Sequence, residues 1–239
     1  MKVLKEQGSF EVRTPAEELK RQFMEIEMAG RTAYQSFRGE VTLESAKRFV
    51  AMLLRSGHES VIEHTSLEVK FTGVSRGLTH ELVRHRLASF TQESTRYVDY
   101  AKGGDSPDLE RFQLECVFPP HRDEMERVDL GGGRMMTPVE MMEEIELFYR
   151  GLRRAGWKPE DARQFLPNAT GSDVVMTANW REWRHVFGMR TQKAAHWEIR
   201  KVMGDLLVGV QGIIPVVFDD FVEAGVDNNG LRYFERRKQ

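Results

Sequence analysis

Residues 66–96 read SLEVKFTGVSRGLTHELVRHRLASFTQESTR. The opening alternates: Leu67, Val69 and Phe71 share one face, and Glu68, Lys70 and Thr72 the other. A period of two with one apolar face predicts a half-buried strand over 66–72, broken at Gly73. Beyond it, Leu78, Leu82, Val83 and Leu87 recur at helical spacing, with His80, Glu81, Arg84 and His85 largely opposite them. This predicts an amphipathic helix that ends in Arg84-His85-Arg86 and runs into an extended, hydroxyl-rich loop.

The same rules extend outward. Residues 2–13 read as one or two short strands broken near Gly8. Thr14-Pro15 opens a helix carrying Leu19, Phe23, Ile26 and Met28, closed by Gly30. Thr42 caps a second helix on Phe49, Val50, Leu53 and Leu54, which stops at Gly57. Thr137-Pro138-Val139-Glu140 is a capping box, and its helix runs to about Gly156 on Met142, Ile145, Phe148 or Tyr149, and Leu152. A short helix from Pro159, a strand over 173–179, helices over 180–190 and 194–210, and a last helix from near Asn229 follow. Between 101 and 136, Gly103-Gly104, Pro107, Pro119-Pro120 and Gly131 to Gly133 predict a surface insertion around one strand at about 112–118. Helices outnumber strands without regular interleaving, and no GxGxxG follows a strand. The fold predicted is a single α+β domain over 1–239, a mainly antiparallel sheet packed with helices.

Composition narrows the function. Its 35 basic and 37 acidic residues leave a net charge of −2, which argues against a dedicated nucleic-acid binder, so any anion site is local. The one cysteine, Cys116, allows neither an intrachain disulfide nor a zinc-thiolate cluster, and reads as a structural thiol in a reducing compartment. MKVLKEQGSF has no apolar leader core, and no run approaches membrane-spanning length. A cytoplasmic protein without a membrane partner is expected.

The chemistry concentrates in the basic stretch. Arg84, Arg86 and Arg96 lie within thirteen residues, among Ser89, Thr91, Gln92, Ser94 and Thr95. Arginine grips phosphate or carboxylate with a rigid two-pronged fork, so this density suggests a phosphorylated small molecule. A solvated basic face is the plainer alternative. His58-Glu59-Ser60 and Glu63-His64 form a second polar cluster, but His58 and His64 are six apart and His80 and His85 five apart. Neither spacing is the i, i+4 pair that sets two imidazoles on one helix face, so no metal is expected. Two alternatives of other classes are a non-catalytic nucleotide or RNA binder, which the charge balance weighs against, and a metal-dependent phosphohydrolase, which the histidine spacing weighs against.

RHR followed after seven residues by Ser94 resembles the signature of the flavin-dependent thymidylate synthases. His58-Glu59-Ser60-Val61-Ile62-Glu63-His64 fits the same family. So do Ala162-Arg163-Gln164-Phe165-Leu166-Pro167, Thr177-Ala178-Asn179-Trp180-Arg181, and Arg190 six residues before His196-Trp197-Glu198-Ile199. The resemblance implies a homotetramer with active sites between subunits, each taking FAD, dUMP and a folate, with NADPH as reductant and methylenetetrahydrofolate as one-carbon donor. Carried over, Ser60, Arg84, His85, Arg86, Asn179, Arg181 and His185 would hold FAD. Glu81, Arg84, Gln92, Ser94, Thr95, Arg96, Arg163 and Arg190 would hold dUMP. Arg190 would be the catalytic group, stabilising an anionic uracil ring and so removing the need for a cysteine nucleophile. Some relatives carry Gln at the position of Glu81, Glu at that of Gln92 and Asn at that of His185. His58 and Trp197 are the candidates nearest the folate.

Overall fold

The computed structural model describes residues 1–5, 8–37, 39–102 and 113–237. The chain opens with strands β1 (Lys2–Lys5) and β2 (Ser9–Val12), then helices α1 (Ala16–Tyr34) and α2 (Leu43–Arg55). Strand β3 (Leu67–Ser75), helix α3 (Arg76–Leu82) and strands β4 (Ala88–Gln92), β5 (Glu115–Phe118), β6 (Val128–Asp129) and β7 (Met135–Met136) follow. Next come helices α4 (Pro138–Arg154) and α5 (Pro159–Ala162), strand β8 (Gly171–Ala178), and helices α6 (Trp180–Arg190) and α7 (Trp197–Ile213). Strands β9 (Phe221–Val226) and β10 (Arg232–Arg236) end the chain. The class is α+β. One sheet has the strand order β2-β3-β8-β4. The pairs β9–β10 and β6–β7 are antiparallel, whereas β1 and β5 pair in parallel, Val3 opposite Cys116.

The residues group into two compact units: Met1–Ser9, Thr72–His80 and Gln92–Val174 in the first, and Phe10–Phe71, Glu81–Thr91 and Val175–Gln239 in the second. In the first, Tyr100, Leu114, Cys116, Phe118, Tyr149 and Ala162 form a buried cluster. The Thr137–Glu140 capping box closes reciprocally, at 3.0 and 2.7 Å, and starts α4 where the sequence places it. Tyr149, not Phe148, is the residue that α4 turns inward. The strand expected near 112–118 is β5, and it is core, whereas 121–135 stay largely exposed. Gly103, Gly104 and Pro107 lie outside the described residues.

In the second unit, α1, α2, α6 and α7 bury Leu19, Phe23, Ile26, Val50, Leu53, Trp180, Trp183, Phe187 and Leu206. Four expectations fail here or at its boundary, each for a local reason. Gly30 does not end α1: a Cβ there would lie 2.3 Å from the Phe49 ring, so this glycine admits α2 rather than stopping a helix, and Gln35 in the left-handed region ends α1 instead. Thr14 does not cap α1 either; its hydroxyl accepts the Glu68 N–H at 2.8 Å, and Pro15 stands at the cap. Gly73 does not end β3, which passes through it at φ 65° and continues to Ser75. The C-terminal helix is the hairpin β9–β10, because Asp227 accepts the N–H groups of Asn229 and Leu231 and Gly230 adopts φ 78°.

Candidate active site

Helix α3 stops at Leu82, before the RHR triplet rather than within it. The His85 N–H closes a turn on the Leu82 carbonyl at 3.1 Å. That turn buries His85 and leaves Val83, Arg84, Arg86 and Leu87 exposed, so the apolar periodicity past Leu82 does not mark a buried face. The hydroxyl-rich stretch beyond is the strand β4 as far as Gln92, and Ser94 to Arg96 lie in the loop and turn that follow it.

The second half of the geometry comes from α6. Asn179 caps it, its side-chain oxygen accepting the Glu182 N–H at 2.8 Å, and the Trp180 N–H donates to Thr65 Oγ1 at 2.9 Å. Trp180, Trp183, Val186 and Phe187 recur at helical spacing and are buried, which sets Arg181 and His185 outward. Arg190 is the last residue of the helix. Its Nη1 donates to Glu81 Oε2 at 2.6 Å, its Nη2 to the Glu81 carbonyl at 3.0 Å, and its Nε to His85 Nε2 at 3.0 Å. Three N–H groups are thus engaged, and an arginine carries five. Glu81 Oε1 stands 4.0 Å from His196 Nδ1.

His85 sits inside this network. Its Nδ1 is 3.4 Å from Glu182 Oε1, and its ring meets His185 edge-on at 5.5 Å. Burial, with Arg190 and His185 nearby, pulls its pKa down to about 4, so the imidazole is neutral near pH 7. Burial pushes the Glu182 carboxyl up. His85, Glu182 and His185 are close enough to bracket a cation. Yet neutral imidazole has one lone pair, and the Arg190 Nε–H already occupies it. A metal on Nδ1 would place an Nε2–H against that donor.

Glu63, Leu87, Asn179, Arg181, Glu182 and His185 line a cavity of about 510 Å³, with an Arg181–Glu63 ion pair in its wall. A neighbouring cavity of about 340 Å³ shares Arg181 and His185 and adds Arg184 and Arg236. Arg84 and Arg86 make no ion pair among the described residues. Ser60 is exposed in the short 3-10 turn Glu59–Glu63.

The remaining candidates belong to the first unit. Gln92 donates to Thr79 and Ser172 hydroxyls at 2.9 and 3.2 Å. Arg163 Nη1 donates to the buried Thr95 hydroxyl at 3.3 Å. Ser94 Oγ accepts the Arg96 N–H at 3.2 Å, and the Arg96 guanidinium pairs with Glu160 at 3.3 Å. The geometry therefore gathers Glu81, His85, His185 and Arg190 in one network, Asn179 and Arg181 beside it, and Ser94, Thr95, Arg96 and Arg163 in another. Glu182 escaped the sequence reading. Asn179-x-x-Glu182 has capping-box spacing, which suggests a helix-end role, whereas the carboxylate faces His85.

The start of helix α6, with Glu63 and Leu87, thus lines a polar cavity on an α+β scaffold. Residues 16–216 match the family model described as thymidylate synthase complementing protein. A flavin-dependent thymidylate synthase of Geobacter sulfurreducens is 34% identical over 82% of this chain and 80% of its own length. One from Nitratidesulfovibrio vulgaris is 38% identical over 75% and 70%. Among solved structures, thymidylate synthase X from Helicobacter pylori, crystallised with FAD and dUMP, aligns with a TM-score of 0.61 at 22% identity, covering 89% of this chain and 98% of that one. The UMP/dUMP methylase PolB from Streptomyces cacaoi aligns at 0.65 and 20% identity, covering 92% and 96%. The chain belongs to the thymidylate synthase complementing family, that of the flavin-dependent thymidylate synthases.

Proposed function

We propose that this enzyme methylates dUMP to dTMP, with FAD as cofactor, methylenetetrahydrofolate as carbon donor and NADPH as reductant. The observation that carries the reading is Arg190, clamped by Glu81 and His85 with two N–H groups left over. Those donors suit the uracil O4, where negative charge gathers as C5 becomes nucleophilic. Glu81 Oε1, unused by Arg190, is an acceptor for the ring N3–H. Arg163, Arg96 and Ser94 supply forks and a hydroxyl for the nucleotide phosphate.

The residues present fit FAD. Arg84 and Arg86 carry exposed guanidinium groups, without an ion pair among the described residues, for a diphosphate, and Asn179, Arg181 and His185 offer polar side chains along the larger cavity. FAD held there would supply the hydride chemistry, with NADPH as the source of the hydride. The chain's own residues hold the nucleotide and polarise its ring. Cys116 takes no part: burial, then Glu146, push its thiol up to about 12. A homotetramer with sites between subunits, and a cytoplasmic setting, belong to the same proposal; the family resemblance supports the first and the composition the second.

The test is an absorbance spectrum of purified protein, followed on anaerobic addition of NADPH with and without dUMP. Flavin bands that bleach faster with dUMP, and dTMP formed once the folate is added, are expected. A colourless protein that takes up no added FAD overturns the reading.

A further inference from the structure

Arginine nitrogens only donate, and this fixes more of the site than the pairing of Arg190 alone. The Arg190 Nε–H lies 3.0 Å from His85 Nε2, so that nitrogen must present its lone pair. Neutral imidazole has one such nitrogen, and the ring proton is therefore on Nδ1. The group facing Nδ1 is Glu182 Oε1 at 3.4 Å. Glu182 is 6% exposed and His85 4%, so water does not substitute readily for either partner. Glu182 stands in the first turn of α6 and Arg190 at its last residue. Eight residues of helix separate them by about 12 Å, so one can act on the other only through a third group. His85, from outside the helix, is that group.

We propose that Glu182 is a positioning residue of the methylation reaction, holding His85 as the Nδ1–H tautomer so that Nε2 aims the Arg190 guanidinium. The proposal rests on the thymidylate synthase reading for its catalytic consequence, but the tautomer stands on the contacts. The charged and titratable groups that face His85 are Glu182, His185 and Arg190 from α6, with Glu81 from α3 acting through Arg190. Of these, Glu182 is the carboxylate recorded beside Nδ1. Without it, the Nε2–H tautomer becomes available, and its proton opposes the Arg190 Nε–H.

Nitrogen-15 histidine NMR of the wild-type protein at neutral pH tests the tautomer directly, with the His85 signals assigned from a His85→Gln spectrum. A protonated Nδ1 and an unprotonated Nε2 are expected; the Nε2–H form in the wild type overturns the proposal whatever the enzyme does. Glu182→Leu should populate the Nε2–H form and lower kcat for dTMP formation by about 10- to 100-fold, the scale of a displaced catalytic group. KM for dUMP and flavin reduction by NADPH should stay near wild type, and Glu182→Gln, whose amide oxygen still accepts, should recover most of kcat. A folded Glu182→Leu variant with wild-type kcat, or one in which flavin reduction falls in step with methylation, rejects the positioning role. A wild-type protein that makes no dTMP yet shows the Nδ1–H form would sink the synthase reading while leaving the contact argument intact.

Discussion

Arg190 is held on two sides by groups that do different things. Glu81 neutralises it with a carboxylate and grips it again through a carbonyl, whereas His85 contributes only a lone pair. Arg190→Ala removes the donor proposed for the uracil ring without touching the buried face of α6. Its kcat should fall about 100- to 1,000-fold, with flavin content and melting temperature close to wild type; a methylation assay beside a flavin spectrum checks this, and retained turnover would refute the role. Cys116→Ala is the complementary case. The thiol is fully buried beside β1, so the variant should lose about 1 kcal/mol in a urea melt and keep its kcat. Inactive yet folded protein would bring back a thiol nucleophile. Arg190, Glu81 and His85 stand out in the sequence through their resemblance to family motifs, since their spacing alone reads as a solvated face. Glu182 was not, since an asparagine-to-glutamate spacing of three reads as a helix cap whether or not the carboxylate is drawn elsewhere.

Elements were legible where their ends are chemical and obscure where they are steric. Thr42 and Thr137 cap their helices through hydrogen bonds within four residues, and both positions follow from sequence. Gly30 is a different kind of glycine. Its lack of a side chain answers the Phe49 ring, nineteen positions away, and nothing local signals it. Gly30→Ala should improve helix propensity and still destabilise the protein by about 1–3 kcal/mol, through the displaced ring. A denaturant melt in which this variant matched or exceeded wild type would show that α1 and α2 can separate at no cost. The C-terminal hairpin is hidden from the helical expectation for a related reason: the strand β10 pairs with β9, and its Phe234 is buried where a Cβ at Gly204 would lie 2.8 Å away.

At the scale of the molecule, the second unit is tied by charges that no local pattern reveals. The buried Arg184 takes both oxygens of Asp220 at 2.7 Å, and Arg236 joins Asp220 and Glu59 at 2.7 and 2.6 Å. These bonds link the 3-10 turn, α6, the segment before β9, and β10. Asp220→Ala leaves Arg184 buried without its main partner and should cost about 3–5 kcal/mol by chemical denaturation. Acid should act in two windows. Burial raises the Asp220 pKa, but the Arg184 hydrogen bonds and charge outweigh it and hold the carboxyl below its ordinary value of 3.8. Its stabilisation is therefore complete above about pH 4 and lost as pH falls through the depressed value. His85, depressed from 6.5 to about 4, binds its proton more readily when unfolded, so stability also declines as pH drops between those values. Melting temperatures from pH 7 to 3 should fall first by the histidine and then by the aspartate. The Asp220→Ala variant should lack the second decline, and an unchanged acid profile would reject the assignment.

The sequence by itself determined the α+β class, most helices, the buried strand β3 and the identity of the arginines around the site. Those features depend on periodicity, caps and motif spacing, all of which act over a few residues or survive as fixed patterns. Only the tertiary structure decided where α3 stops, that β5 is core, that Gly30 is a packing position, and that Glu182, His85, Arg190 and Glu81 come together. Such facts concern side chains distant in the chain, and a hydrogen bond between residues 85 and 190 leaves no periodic trace in either neighbourhood.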